Sequence, residues 1–152
     1  MNADILARLK AAAGPNGFSE DQGEIAPHLE EWRSKYKGRA SLLLKPATVE
    51  RVSAILSICH ETATPLVPQA GNTGLVGGQI PFAGEVLLSL SRLNRIRALD
   101  ATGSSMIAEA GVVLAAAQQA AAEAGSLLPL SLASEGSCTI GGTVSTNAGG
   151  VK

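Results

Sequence analysis

The chain has 152 residues, 45% of them apolar, and its 12 Lys and Arg against 13 Asp and Glu leave a formal charge of −1. That length supports one domain with a real core, and the near-neutral balance excludes a dedicated nucleic-acid surface. Two cysteines, Cys59 and Cys138, fit a reducing compartment and exclude a disulfide scaffold. Met1-Asn2-Ala3-Asp4 has no basic stretch followed by an apolar one, so no secretory signal is expected. No run approaches the roughly 18 apolar residues of a membrane span. The expected location is cytoplasmic.

Residues Ala3 to Ala13 predict a helix with Ile5, Leu6 and Leu9 on one face, stopped by Gly14-Pro15-Asn16-Gly17. Phe18 to Arg39 is polar. Its cations alternate with Trp32 and Tyr36, a pattern open to a nucleic-acid reading, but the neutral total favours a solvated or domain-packing segment. Ser41-Leu42-Leu43-Leu44 predicts a buried strand closed by Pro46. Thr48 then caps a helix carrying Val49, Val52, Ile55, Leu56 and Cys59 at helical spacing, with Glu50 in its first turn. Strands are expected over Thr64 to Val67 and over Val86 to Leu90, the latter too continuously apolar to be half exposed. A turn and short strand through Ile96 and Leu99 follow, then a strand from Met106 to Ala110. Alanine-rich Val112 to Ala124 predicts a helix ended by Gly125. The succession is an α/β pattern.

Two glycine-rich stretches interrupt it. The first runs Pro68-Gln69-Ala70-Gly71-Asn72-Thr73-Gly74-Leu75-Val76-Gly77-Gly78-Gln79-Ile80-Pro81. Glycine at this density permits close backbone approach and positive φ angles, and successive N–H groups in such a loop make an anion-binding nest. No Lys or Arg occurs between Arg51 and Arg92, so a bound phosphate would rest on backbone donors. The second stretch, Leu127 to Lys152, carries small hydroxyl and amide side chains among glycines, and it too lacks cations from Ala98 to Val151. The two read as walls of one site for a diphosphate-bearing cofactor. The dinucleotide fingerprint does not fit, because Pro81 follows where a helix should open, and no P-loop is present. Tight turns alone remain the competing explanation of the glycines.

Pro68 to Gly78, together with Gly136-Ser-Cys-Thr-Ile-Gly-Gly-Thr-Val-Ser-Thr-Asn-Ala-Gly-Gly150, closely resembles the FAD-linked oxidase family, the vanillyl-alcohol oxidase or PCMH-type flavoproteins. Within that family the chain is most similar to the D-2-hydroxyglutarate and D-lactate dehydrogenase branch. Trp32-Arg33, Tyr36, Gly38 and Pro46-Ala-Thr-Val-Glu50 support this, and the resemblance covers roughly residues 28 to 152. It implies an α/β (α+β) fold, the N-terminal portion of a PCMH-type FAD-binding domain made of two small α/β subdomains with FAD between them. Residues 1–37 would form an N-terminal helix and polar leader, and 38–152 an incomplete FAD-binding domain. The first loop would hold FAD through Pro68, Gln69, Ala70, Gly71, Asn72, Thr73, Gly74, Leu75 and Gly78. The second would contribute Pro129, Gly136, Ser137, Cys138, Ile140, Gly141, Gly142, Ser145, Thr146, Asn147, Ala148 and Gly149. Of these, Ser137, Ser145, Thr146 and Asn147 would be the polar contacts. A short helix starting near Thr139 would direct its N-terminal dipole at the diphosphate.

Three positions depart from the family pattern: Ala70 and Thr143 replace a Gly and an Asn, and Glu135 stands where a Lys is usual. Cys138 reads as a packing residue, with a redox thiol as the competing role. Neither His28 nor His60 has a Cys or His at ligand spacing, so no metal is assigned, and no catalytic residue is assigned either. The resemblance implies that substrate-handling groups lie C-terminal to the matching region. The intact protein would oxidise a D-2-hydroxy acid to the 2-oxo acid by hydride transfer to FAD, passing electrons to an unidentified acceptor. A homodimer is a candidate assembly, and no nucleic-acid partner is expected. Two competing readings are a non-catalytic flavin or nucleotide-binding module, should the natural chain end at Lys152, and a UDP-sugar enolpyruvate reductase of the same superfamily.

Overall fold

The computed structural model describes residues 2–150. Helix α1 (Ala3–Ala13) starts on an Asn2 side-chain cap and ends at Gly14, whose φ of 77° suits glycine. A short strand β1 (Phe18–Ser19), a single helical turn α2 (Gln22–Ile25) and a 3-10 turn (Ala26–His28) follow. Strand β2 (Leu43–Leu44) leads into helix α3 (Val49–Glu61), which Thr48 caps by accepting from the Arg51 N–H. Strands β3 (Leu66–Gln69) and β4 (Val86–Ser89) complete a four-stranded sheet in the order β1-β2-β4-β3. Strand β4 pairs parallel with both β2 and β3, and β1 closes one edge antiparallel.

Alternation along the central strands divides the core in two. Leu42, Leu44, Val86 and Leu88 face Leu9, Ile55 and Cys59 of α1 and α3, while Leu43 and Leu87 face Ile25 and Ala40 on the other side. Each such buried aliphatic side chain contributes about 1.5–3 kcal/mol. The polar stretch Phe18 to Arg39 therefore packs on the sheet and supplies part of its second face. Val49 and Leu56 do not join Ile55 in the core as the spacing predicts; both are about half exposed on the outer side of α3.

The second unit is smaller. Strands β5 (Ile96–Asp100) and β6 (Ser105–Ala108) form an antiparallel pair with an irregularity between Ile96 and Ala98. Helices α4 (Leu114–Glu123) and α5 (Ile140–Thr146) follow. A four-stranded sheet covered by α1 and α3, and a separate two-stranded sheet followed by α4 and α5, make the mixed helix-and-sheet class expected.

Strand limits shift where a partner decides them. Strand β3 begins two residues late and runs on to Gln69, because its register with β4 pairs Leu66 with Val86 and Gln69 with Ser89. Strand β6 stops at Ala108, since the Ala110 carbonyl is taken by the Gly141 N–H at 2.8 Å. Val112 lies outside α4 because its carbonyl accepts from the Ile140 N–H at 2.9 Å. Val151 and Lys152, the end of the second glycine stretch, lie outside the described residues.

Candidate functional site

Parallel pairing of β3 with β4 obliges the chain to return from the carboxyl end of one strand to the amino end of the other. The first glycine stretch makes that return. It therefore sits at the carboxyl ends of parallel strands, where ligands bind in open α/β sheets. The second glycine stretch lies opposite, between α4 and the start of α5. Together the two line a cavity of about 540 Å³, within the range of small-molecule sites.

The loops meet where Gly71 passes Ser137. A Cβ on Gly71 would stand 2.2 Å from the Ser137 carbonyl oxygen, so the glycine is needed for close approach, not for its φ. Positive φ is rarer in this loop than the glycine count predicts: only Asn72 (49°) and Gly77 (78°) adopt it. At Gly77 the Tyr36 ring lies 2.9 Å from where a Cβ would stand. Gly78, Gly136 and Gly149 face open space, with nothing within 4 Å of an added Cβ.

Donors are distributed unequally between the two walls. In the second, Leu114 and Ala115 at the start of α4 donate to the carbonyls of Cys138 (2.9 Å) and Glu135 (3.0 Å), which satisfies a helix end with no side-chain cap. In return Ile140 and Gly141 donate to Val112 and Ala110, and Gly142 donates to the Thr139 hydroxyl at 3.3 Å. Helix α5 starts where expected, at Thr139, but these bonds occupy the first N–H groups of the helix. Its end is thus tied to protein and is not left for a diphosphate. In the first wall, none of the backbone N–H groups from Gly71 to Gly78 donates to an acceptor among the described residues. Buried or cleft-lining N–H groups normally find a partner. With no Lys or Arg among the described residues that line the cavity, this run of N–H groups without a protein acceptor is what an anion held by backbone would require.

That fit can be checked residue by residue. Pro68, Gln69, Ala70, Gly71, Asn72, Thr73, Gly74, Leu75 and Gly78 all line the cavity, as do Cys138, Gly141, Gly142, Ser145, Thr146 and Ala148. Pro129, Gly136, Ser137, Ile140, Asn147 and Gly149 do not. Val76, Gln79, Leu90, Ala110, Leu132, Ser134, Thr139 and Thr143 line it without having been among the expected contacts. Leu90 and Ala110 lie outside both glycine-rich stretches, just beyond strands β4 and β6, where only the fold brings them near. Cys138 is buried and unpaired, in keeping with a packing role.

Glu109 supports the second wall from behind. It is 5% exposed and accepts from the Arg95 backbone N–H (2.9 Å) and from both the Arg95 and Arg97 guanidinium groups at 2.9 Å. The Arg95 hydrogen bonds, with Arg97 adding to them, pull its carboxyl down to about 2. Among the described residues no cluster of His, Cys, Asp or Glu is placed to hold a metal ion, and no helix is long and apolar enough to cross a membrane.

Comparison with known proteins agrees with this geometry. Residues 40–152 match the family model described as FAD binding domain. A rice (Oryza sativa subsp. indica) protein named "Probable D-2-hydroxyglutarate dehydrogenase, mitochondrial" is 40% identical over 152 residues, covering 100% of this chain and 27% of its own length. A Schizosaccharomyces pombe relative with a mitochondrial D-lactate dehydrogenase name is 40% identical over 134 residues, 88% of this chain and 26% of its own. The chain thus spans about a quarter of the relatives it matches. Among solved structures, alkyldihydroxyacetonephosphate synthase superposes with a TM-score of 0.88 at 19% identity over 99% of this chain and 30% of that one. p-Cresol methylhydroxylase gives 0.74 at 20% identity over 93% and 28%; both establish the PCMH-type fold. The cytoplasmic expectation is overturned, since these relatives are named mitochondrial. Neutral composition and the lack of an apolar span are common to soluble proteins of either compartment and cannot separate them.

Proposed function

The chain belongs to the FAD binding domain family, and we propose that it is the flavin-holding part of a dehydrogenase that oxidises a D-2-hydroxy acid, of the 2-hydroxyglutarate or lactate class, to the 2-oxo acid. The observation that carries the cofactor assignment is the run of free N–H groups from Gly71 to Gly78 along the shared cavity. The names of the relatives support the substrate class.

In this reading the first loop, from Pro68 to Gly78, holds the FAD diphosphate through backbone donors, each bond to charged oxygen contributing about 1.5–3 kcal/mol. Gly78 leaves room for that approach. Ser145 adds a hydroxyl contact from the other wall, and Thr146, whose hydroxyl donates to the Gly142 carbonyl at 2.8 Å, offers its oxygen as an acceptor. Ser137 and Asn147 stand at the edge, and Gly136 and Gly149 keep the wall low. Pro129 and Ile140 shape its ends. When bound, the flavin accepts the hydride. This chain's residues bind it, orient it and exclude water around the diphosphate, and no residue of the chain is assigned a catalytic role.

The leader (1–37) and the flavin domain (38–152) are the proposed division. The hydroxy acid, the electron acceptor and a second copy in a homodimer are the proposed partners of the intact protein. Equilibrium titration of the chain with FAD, followed by flavin fluorescence, tests the cofactor site. Saturable one-to-one binding is expected, and its absence at high micromolar FAD would end this reading.

A further inference from the structure

Three side-chain amides surround the first glycine loop, and every one of their N–H groups is spent on the protein. Gln69, 3% exposed, donates to the carbonyls of His28 and Gln79, both at 3.0 Å. Those two bonds fix its orientation, so its oxygen accepts from the His28 Nδ1–H at 2.5 Å. Asn72 donates to the carbonyls of Glu30 (2.9 Å) and Pro27 (3.4 Å). Gln79 donates to the Asn72 side-chain oxygen (3.1 Å) and to the Gly74 carbonyl (2.7 Å). The Arg33 guanidinium donates to the Leu75 carbonyl on the loop's outer side.

These bonds have one sense. Where they touch the backbone of the glycine stretch they engage the carbonyls of Gly74, Leu75 and Gln79 and none of its N–H groups. The others run to the leader carbonyls of Pro27, His28 and Glu30 and to the Asn72 side-chain oxygen. Tying back the Gly74 and Leu75 carbonyls leaves the facing surface of the loop rich in donors, the polarity an anion needs. The tether also explains why Asn72 holds a φ of 49°: asparagine tolerates the left-handed region, and its side chain anchors the loop there. The anchoring carbonyls, Pro27, His28 and Glu30, precede the residues matched by the family model, which begin at 40.

We propose that Gln79, acting with Gln69 and Asn72, is a positioning residue that locks the Gly71–Gly78 loop onto the Pro27–Glu30 segment with its N–H groups presented to the diphosphate. The role rests on the FAD reading above. It makes the polar leader a working part of the flavin site: the loop is pre-ordered by side chains whose amide N–H groups are all spent on protein acceptors, and binding avoids the entropic cost of ordering it.

The test uses the full 152-residue chain and the variant Gln79→Leu, which is half-buried, keeps the volume and removes both donors. Two quantities are read: the FAD dissociation constant, and backbone ¹⁵N order parameters of residues 71–78 without FAD. The expected result is a rise of about tenfold in Kd, with loop order parameters falling from near 0.85 to below about 0.6 and the melting temperature little changed. Weaker binding with an unchanged loop would mean direct contact, and a loosened loop with unchanged Kd would mean that order is irrelevant; either overturns the proposal. Should Gln79→Leu not fold, Gln79→Met keeps the length and loses the same donors without adding charge to the cavity. Gly78→Val separates the two levels of inference, because its Cβ meets no protein atom and only a ligand would sense it. If Gly78→Val binds FAD normally, the site assignment itself fails. If it weakens binding and Gln79→Leu does not, only the positioning role fails.

Discussion

Gly71 and Ser137 stand so close that the Ser137 carbonyl oxygen occupies the space a Gly71 side chain would need, 2.2 Å from the ideal Cβ. This contact, between residues more than sixty positions apart in sequence, is where the two glycine stretches become one cavity. Gly71→Ala forces the walls apart. Overpacking of this kind costs about 1–3 kcal/mol, so the melting temperature should drop by several degrees, and FAD affinity should fall with it. Thermal unfolding followed by circular dichroism reads the first effect. An unchanged melting temperature would show that the walls are free to separate.

Glu109 predicts an acid limit. Its folded-state carboxyl lies near 2 against an ordinary 4.5, held down chiefly by the Arg95 hydrogen bonds. A depressed carboxyl contributes stability that is fully present above the ordinary value and is lost as pH falls from about 4.5 through about 2. The Ala110 carbonyl next to Glu109 receives the Gly141 N–H, so the second wall should loosen in the same window. Glu109→Gln should be less stable than wild type at neutral pH and should lose part of this acid dependence. Parallel denaturant titrations at pH 7 and in the acid window would settle it, and superimposable pH profiles would count against the role.

The Thr139 hydroxyl accepts from the Gly142 N–H and is 5% exposed. Thr139→Val keeps the shape, removes the cap and leaves a donor unpaired in the first turn of α5. A stability loss of about 0.5–2 kcal/mol is expected from denaturant midpoints. Because the second wall is not the main source of donors, FAD affinity should change less than in Gly71→Ala.

Among the described residues neither wall carries a cation along the cavity, which predicts an insensitivity. Screening acts on separated exposed charges over about 10 Å at 0.1 M salt and about 3 Å at 1 M, whereas backbone N–H groups in contact with phosphate oxygens are little affected. The FAD dissociation constant should rise less than about tenfold across that range. A steep salt dependence would reveal a Lys or Arg reaching the diphosphate.

Much of this was legible beforehand. Thr48 precedes its helix as an N-cap because a hydroxyl before a helical run has one local use, and the helix start near Thr139 was implied by the family resemblance. The continuous apolar run at Val86 marks the central, doubly covered strand. The outer position of Val49 and Leu56 was not legible, because helical spacing defines a face without saying which neighbours exist to cover it. Nor was the fate of the α5 N-terminus, whose first donors are taken by the carbonyls of Ala110 and Val112.

What the sequence by itself determined is chemical: two glycine-rich stretches, the first free of cations and the second free of them as far as Val151, in an order and spacing that match a flavin-binding family. Local composition controls backbone freedom and charge, and both are written in consecutive residues. What only the tertiary structure decided is which wall carries the free donors and what holds it in place. Gln69 reaches His28 across 41 positions and Asn72 reaches Glu30 across 42. Hydrogen bonds between residues so far apart depend on how the sheet and its crossover bring them together, and no local pattern encodes that.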